Sequence, residues 1–143
     1  MKRFTDRLAQ LRGVKCEGVD AEEYEEPSSE PIFAVGTLIR FSDGTRLRGQ
    51  FWRLTKAGGP LVSIFDHRRR YGMPAPVDAL HIIHDELAGK QVLDASMDET
   101  TGDLRFQFEG EVGLEVFNFT AFEIWELRFP DGTGELSNYA LRK

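Results

Sequence analysis

The chain has 143 residues, of which 41% are hydrophobic and 29% charged, and its net charge is −6 at neutral pH. This length and composition predict one globular domain with a substantial core and exclude a globally disordered chain. The acidic balance argues against general nucleic-acid binding. No apolar run approaches the length of a membrane helix, and "MKRFTDRLAQLRG" holds no apolar stretch of signal-peptide length. We therefore expect a cytoplasmic protein that does not enter a membrane.

The chain contains one cysteine, Cys16, and therefore no internal disulfide. A single thiol suits a reducing compartment, and no local signature marks it as a nucleophile. We expect an inert, partly buried side chain.

The first part of the chain predicts one helix followed by strands. Phe4, Leu8 and Leu11 recur at helical spacing, which predicts a helix over residues 2–12, with Thr5 and Asp6 available for capping. A short strand is expected at 14–18, followed by an acidic loop over 17–31. The β-rich runs "IFAVGTLIRF" and "TRLRGQFWRL" flank "SDG", which predicts a hairpin. "LVSIFD" predicts a further strand, and the glycine and prolines of "HRRRYGMPAP" predict a loop.

The second part repeats this order. In "VDALHIIHDELAG", Val77, Leu80, Ile83, His84 and Leu87 share one stripe, and a glycine follows, which predicts the second helix. Strands are expected at about 90–97, 103–109, 113–119 and 123–129. "LRFQF" alternates apolar and polar residues without fault. Residues 130–143 are expected to form a polar C-terminal tail.

These orders predict two related halves, at about 2–66 and 77–129, within a single domain spanning 1–143. When the two halves are aligned, Leu38 would match Leu104, Leu47 would match Leu114, and Trp52 would match Trp125. A unit of one helix and about three to four antiparallel strands rarely buries its apolar face alone, so two units are expected to pack together. The predicted fold class is α+β, with mostly antiparallel strands.

Several short segments resemble a known protein family, most strongly over residues 87–127. These segments are "LRG", "GTL", "LAGKQV", "GDLRFQFEG", "LEVF" and "WEL". The chain resembles a family of small bacterial two-repeat α+β proteins of unknown function. Some members of that family are regarded as immunity proteins for polymorphic toxins. The resemblance implies a fold and a class of partner. The matching residues are mostly glycines and apolar residues, which carry no chemistry.

Histidines and arginines suggest two candidate sites. His81 and His84 lie three apart in "HIIHDE" and could share a metal, but a dedicated zinc site needs more ligands, so a hydrogen-bonded histidine in the core is favoured. "FDHRRRY" could grip phosphate through its arginines, with His67 adding acid–base chemistry. The alternative is a solvated loop whose arginines pair with acids elsewhere.

Two further segments have competing interpretations. "DETTGD" could suggest calcium, but it lacks the order of ligands in an EF-hand, so a hairpin turn with Gly102 at positive φ is favoured. In "LEVFNFTAFEIWEL", Phe117 and Phe119 share one strand face. That face is expected to be buried within the domain, and a homodimer interface is the alternative.

The stretch "EGVDAEEYEEPSSEP", Glu17 to Pro31, holds seven acids and no base, whereas residues 40–70 hold eight bases and two acids. One interpretation is that these segments cross in the fold and neutralise each other, the acidic stretch being a solvated connector. Another is that acids around a tyrosine dock on a cationic protein. The partner-binding residues would then be Glu22, Glu23, Tyr24, Glu25 and Glu26.

We therefore expect a protein-binding module without catalytic residues, metal or cofactor. It would be an immunity-type inhibitor of a basic bacterial toxin. One alternative is a structural or small-ligand-binding domain that forms a homodimer through the aromatic strands. The other is a metal-dependent hydrolase using His67, His81 or His84.

Overall fold

The structure, a computed structural model, describes residues 3–23, 35–118 and 124–137, without the side chains of Glu23 and Val35. Within these ranges it contains two five-stranded antiparallel sheets, two α-helices and one 3₁₀ turn. The predicted α+β class with antiparallel sheets is thereby confirmed. The 3₁₀ turn is a third helical element that the sequence did not predict. None of the described helices has the length and hydropathy needed to cross a membrane.

The elements follow one another in the order helix, five strands, 3₁₀ turn, helix, five strands. The helices are α1 (Phe4–Ala9) and α2 (Ala79–Leu87), and the 3₁₀ turn covers Ile64–Asp66. The strands are β1 (Cys16–Glu23), β2 (Val35–Phe41), β3 (Arg46–Gly49), β4 (Trp52–Lys56), β5 (Gly59–Ser63), β6 (Val92–Met97), β7 (Leu104–Phe108), β8 (Val112–Val116), β9 (Trp125–Arg128) and β10 (Gly134–Leu136).

Each sheet takes strands from both parts of the chain. The first sheet has the order β1-β2-β3-β9-β10, and the second has the order β5-β4-β8-β7-β6. In the first sheet Leu47 of β3 lies opposite Leu127 of β9. In the second, Leu54 of β4 lies opposite Leu114 of β8. The β4–β5 and β9–β10 hairpins have thus each crossed to the sheet begun by the other part.

The run "TRLRGQFWRL", predicted as one strand, is two strands in different sheets. β3 ends at Gly49 and β4 begins at Trp52, so the chain changes sheets at Gln50 and Phe51. A Cβ on Gly49 would lie 3.0 Å from a methyl carbon of Val116. Glycine at this position lets the first sheet's backbone pass close to the second sheet.

Several boundaries also differ from the prediction. β1 extends to Glu23, so the first half of the predicted acidic loop is strand. It pairs with β2 along one edge, and its Asp20 and Glu22 carboxylates meet Arg40 and Arg48. The predicted polar tail contains β10, which pairs with β9 after the turn at Asp131 and Gly132. The first helix is shorter than 2–12, and its N-cap is Arg3, which makes no side-chain capping bond.

The core lies between the sheets and under the helices. Its largest fully buried side chains include Trp52 and Trp125, one in each sheet. Cys16 is fully buried, and that burial raises the pKa of its thiol to about 11. The expectation of an inert cysteine agrees with this position, because the thiolate is the reactive form.

The two parts of the chain meet at an antiparallel bridge between Lys15 and Gln91. The Gly13 N–H donates to the Val92 carbonyl, and the Gly89 N–H donates to the Cys16 carbonyl, both at 2.8 Å. A shift along the sequence that carries Gly13 onto Gly89 also carries Cys16 onto Val92. The two hydrogen bonds are therefore reciprocal under this shift.

Candidate functional site

All three histidines of the chain line one cleft of about 510 Å³, which we call the histidine cleft. Its walls are β1, the loop that follows the 3₁₀ turn, and α2. The residues that line it are Val19, Asp20, Ala21, His67, Arg68, Asp78, Leu80, His81 and His84. No sequence pattern indicated that His67 would lie beside the other two histidines, because the loop that carries it has no regular period.

His84 lies on α2 and contacts the edge strand β1. Its Nδ1 accepts a hydrogen bond from the Val19 N–H at 3.0 Å. Val19 belongs to β1, which is the outermost strand of the first sheet. The imidazole therefore satisfies a backbone donor that has no strand beside it, as expected for a hydrogen-bonded structural histidine.

His67 performs a similar task at the start of α2. Its Nδ1 accepts a hydrogen bond from the N–H of Ala79, the first residue of the helix, at 3.1 Å. Asp78 is the N-cap and accepts a hydrogen bond from the His81 N–H at 3.0 Å. Burial lowers the pKa of His67, Arg68 lowers it further, and Asp78 opposes both effects. Two of the orphan N–H groups of α2 are thus satisfied by side chains.

These hydrogen bonds limit what the imidazoles can bind. A neutral imidazole has one donor nitrogen and one acceptor nitrogen. Because Nδ1 of His67 and of His84 accepts a hydrogen bond, Nε2 of each ring carries the proton and has no lone pair for a metal. His81 is exposed, and its Nε2 lies 3.0 Å from Asp85. Within the described ranges no group of three or more histidines, cysteines or carboxylates is arranged to hold a metal ion.

The arginines of "FDHRRRY" are directed largely at their own loop. Arg69 Nε donates to the Phe65 carbonyl at 2.6 Å, and an Arg70 guanidinium nitrogen donates to the Pro74 carbonyl at 2.9 Å. The Tyr71 hydroxyl donates to Asp66 at 2.6 Å. These contacts stabilise an irregular loop in which Arg68 and Tyr71 have positive φ. The segment is a loop, as expected, but Arg69 and Arg70 contact carbonyls of that loop and not acids elsewhere. Phosphate binding would compete with these bonds.

The segment "DETTGD" forms the turn between β6 and β7. The Asp98 carboxylate accepts hydrogen bonds from the N–H groups of Thr100 and Thr101 at 2.8 and 3.1 Å. These bonds lower the pKa of Asp98. Gly102 has a φ of 81°. The hairpin interpretation is therefore confirmed.

The aromatic segment is described only in part. β8 ends at Val116, and the partly buried Phe117 packs against the core. The guanidinium of Arg53 lies 5.3 Å from the centre of the Phe117 ring and donates to Glu115 at 2.9 Å. Phe119, which the dimer alternative also needs, lies outside the described residues. The homodimer interface remains a prediction.

The predicted partner-binding residues begin at the end of β1. Glu22 accepts hydrogen bonds from Arg48 Nε at 3.0 and 3.2 Å. The backbone of Glu23 pairs with Val35. Tyr24, Glu25 and Glu26 lie outside the described residues. The role of all five residues in binding remains a prediction.

The basic block of residues 40–70 already has partners for most of its charges. Arg40 donates to Asp20 at 2.7 Å, so Asp20 and Glu22 of the acidic stretch are neutralised by the basic block, as one interpretation of the sequence proposed. The other ion pairs and carbonyl contacts of the block are Arg53 with Glu115, Lys56 with Glu86, Arg48 with Glu126, and Arg46 with the carbonyls of Phe41 and Thr45.

Comparison with known proteins found no matching family model, no matching curated protein and no matching solved structure. The resemblance to the two-repeat bacterial family therefore stays a prediction that rests on the sequence.

Proposed function

We propose that the chain is a non-enzymatic, cytoplasmic protein-binding module whose acidic segment beyond β1 docks on a basic protein. An immunity-type inhibitor of a bacterial toxin is the form of this function that the sequence resemblance favours. The observation that carries the proposal is the charge balance on either side of Glu22. Asp20 and Glu22 have arginine partners; after Glu22 the sequence continues with Glu23, Glu25, Glu26 and Glu30 and contains no base until Arg40.

Several cations of the basic block already have partners among the described residues. Arg40, Arg48, Arg53 and Lys56 each contact a carboxylate elsewhere in the described residues. Arg46 contacts backbone carbonyls. A docking surface of one sign speeds encounter with a partner of the opposite sign, and its effect weakens as salt rises.

The attachment of the segment supports the same function. β1 is paired with β2 along its length and is tied to α2 through Val19 and His84. The acidic segment therefore starts from a fixed strand, which lowers the entropy lost when it binds. Tyr24 lies among the acids and would supply the buried aromatic area that dominates binding energy in many interfaces.

The test compares two variants with equal changes in net charge. Glu25→Lys with Glu26→Lys reverses the proposed surface, and Glu99→Lys with Glu111→Lys reverses exposed acids on the β6–β7 and β7–β8 turns. A partner is captured with the wild-type chain from cells that encode it, identified by mass spectrometry, purified and titrated calorimetrically at two salt concentrations.

We expect a basic partner and a loss of affinity of roughly tenfold or more for the first variant, with the control close to wild type. Equal affinities for the two variants, or an acidic partner, would reject the proposal. A dimer mass in light scattering, with no other protein captured, would favour the homodimer alternative instead.

We further propose that the two parts of the chain are copies of one unit that have exchanged their last two strands. The sheet orders support this, because replacing each strand by its counterpart converts β1-β2-β3-β9-β10 into β6-β7-β8-β4-β5. The reciprocal hydrogen bonds of Gly13 and Gly89 support it as well. Exchange of an identical element between copies is a known route to dimers, and joining the copies would give a single chain of this kind.

The strand registers refine the residues proposed as counterparts. Gly49 lies between Thr37 and Trp125, and Val116 lies between Leu104 and Trp52. This arrangement agrees with the proposed match of Trp52 and Trp125. It makes Thr37 the counterpart of Leu104, one residue from the Leu38 that the sequence suggested. A shift of one residue reverses the face of a strand, so Leu38 is partly exposed while Leu104 is buried.

A further inference from the structure

The two hydrogen-bonded histidines of the histidine cleft hold α2 at both ends. His67 accepts from the first N–H of the helix, at Ala79. His84, in its last turn, accepts from the edge strand at Val19. The buried residues of α2 include Leu80, Ile83 and Leu87. The apolar face of α2 is therefore covered only while the helix keeps its position on β1.

Both hydrogen bonds require an unprotonated Nδ1. An imidazolium ion donates from both nitrogens and accepts at neither, so it would turn a donor toward the backbone N–H that it now receives. Each bond would be replaced by a contact between two donors. We propose that the histidine cleft is a proton-operated latch, in which protonation of His67 releases α2 from the edge of β1, where His84 holds it.

The groups around His67 favour the closed, neutral state. Arg68 opposes a second positive charge, whereas Asp78 lies 4.0 Å from Nδ1 and would favour it. The Asp78 carboxylate already caps α2, and the nearby Asp66 accepts from the Tyr71 hydroxyl and the Ser63 N–H. Burial is the largest influence and lowers the pKa of His67.

The groups around His84 come from three elements. β2 contributes Arg40, whose guanidinium and the His84 ring both lie close to Gly18. β1 contributes Asp20, which accepts from Arg40, and α2 contributes His81 and Asp85, which pair with each other. The nearby carboxylates thus already have cationic or donor partners.

The direction of the pH effect follows from the lowered pKa of His67. When α2 opens, the imidazole regains its ordinary pKa near 6.5. Between the lowered pKa and 6.5 the open state binds more protons than the closed state. The latch is therefore fully closed above pH 6.5 and weakens as the pH falls through that window.

Opening would expose an edge of the first sheet next to the proposed docking segment. The Val19 N–H would lose its acceptor, and the edge of β1 would be free to pair with another strand. Opening would thus couple acidification to association through β1, but the latch itself does not depend on the identity of a partner.

The test is nuclear magnetic resonance of the full chain between pH 5 and 8. Long-range ¹⁵N–¹H spectra report the tautomer of each imidazole, and hydrogen exchange corrected for the intrinsic rate reports the protection of single amides. We expect His67 and His84 to be Nε2–H tautomers at pH 8. We expect the protection of the Ala79 amide to fall as the pH drops through the window below 6.5, together with that of Val19, while Leu114 in β8 keeps its protection.

Variants separate the latch from general acid sensitivity. Asparagine presents Oδ1 near the position of Nδ1 and does not titrate, so His67→Asn with His84→Asn is expected to leave both protections independent of pH. His81→Asn is the control and keeps the wild-type profile. An Nδ1–H tautomer at His67 or His84, or an unchanged profile in the double variant, overturns the proposal. If the double variant does not fold, the tautomers of His67 and His84 in the wild-type chain test the proposal.

Discussion

At the scale of single residues, a hydrogen bond between Trp52 and Thr37 joins the two sheets. The indole Nε1–H donates to the Thr37 hydroxyl at 2.9 Å, and both residues are about 1% exposed. Trp52→Phe would leave the hydroxyl without its donor, and Thr37→Val would leave the indole without its acceptor. We expect each change to lower the free energy of unfolding by about 1–3 kcal/mol.

The double variant provides the control, because it removes both partners. Its cost is expected to be smaller than the sum of the single costs, since no buried polar group then remains without a partner. Urea unfolding of the four proteins gives the coupling. Additive costs would mean that the cross-sheet bond contributes nothing beyond packing.

At the scale of elements, each α-helix is followed by a turn that ends in a glycine with positive φ. Gly13 has a φ of 88° and Gly89 of 81°, and each donates its N–H to the other part of the chain. Alanine in this region of backbone conformation costs about 1–2 kcal/mol. We expect Gly13→Ala and Gly89→Ala to destabilise the protein by similar amounts of that order, measured by urea unfolding.

Gly59 is the matched control for this pair. No atom outside its chain neighbours lies within 4 Å of a Cβ built on it, and its φ is not in the left-handed region. Gly59→Ala is expected to change stability by less than about 0.5 kcal/mol. A large cost at only one of Gly13 and Gly89 would count against the proposal that they are counterparts.

At the scale of the whole molecule, the exchange of hairpins makes each sheet depend on both parts of the chain. Neither sheet is complete without a hairpin from the other part, so we expect a single cooperative unfolding transition. Trp125 reports on the first sheet and Trp52 on the second. Urea unfolding of Trp52→Phe and of Trp125→Phe, each followed by fluorescence and by circular dichroism, tests this expectation.

Fluorescence and circular dichroism should give the same urea midpoint of unfolding within each variant. A fluorescence transition that precedes the loss of circular dichroism in one variant alone would show that one sheet opens independently. The comparison is made within a variant, because each substitution also changes the overall stability.

The parts of the fold predicted from the sequence are those that local pattern determines. The alternation in "LRFQF" identified the buried Leu104, Phe106 and Phe108 of β7, and "SDG" identified the β2–β3 hairpin, whose Gly44 has a φ of 97°. A periodic pattern tells which face of a strand is buried, but it does not identify the neighbouring strand. The change of sheet at Gln50 was missed for that reason.

The histidine cleft was missed for a related reason. The sequence suggested that His84 was a structural histidine, but its partner is a backbone N–H of the distant residue Val19. The bond of His67 to Ala79 depends on how an irregular loop returns to the start of α2. Contacts of side chains with distant backbone leave no periodic trace in a sequence.

The exchange of hairpins also bears on how the chain is made in the cell. A ribosome releases β3 before β9, so the edge that β9 covers stays open until residues 125–128 have emerged. An open edge invites pairing with neighbouring nascent chains. Arg46 and Arg48 place positive charge on β3, which would discourage such pairing during translation. Completion of the native structure is therefore expected to wait until β9 and β10 have emerged.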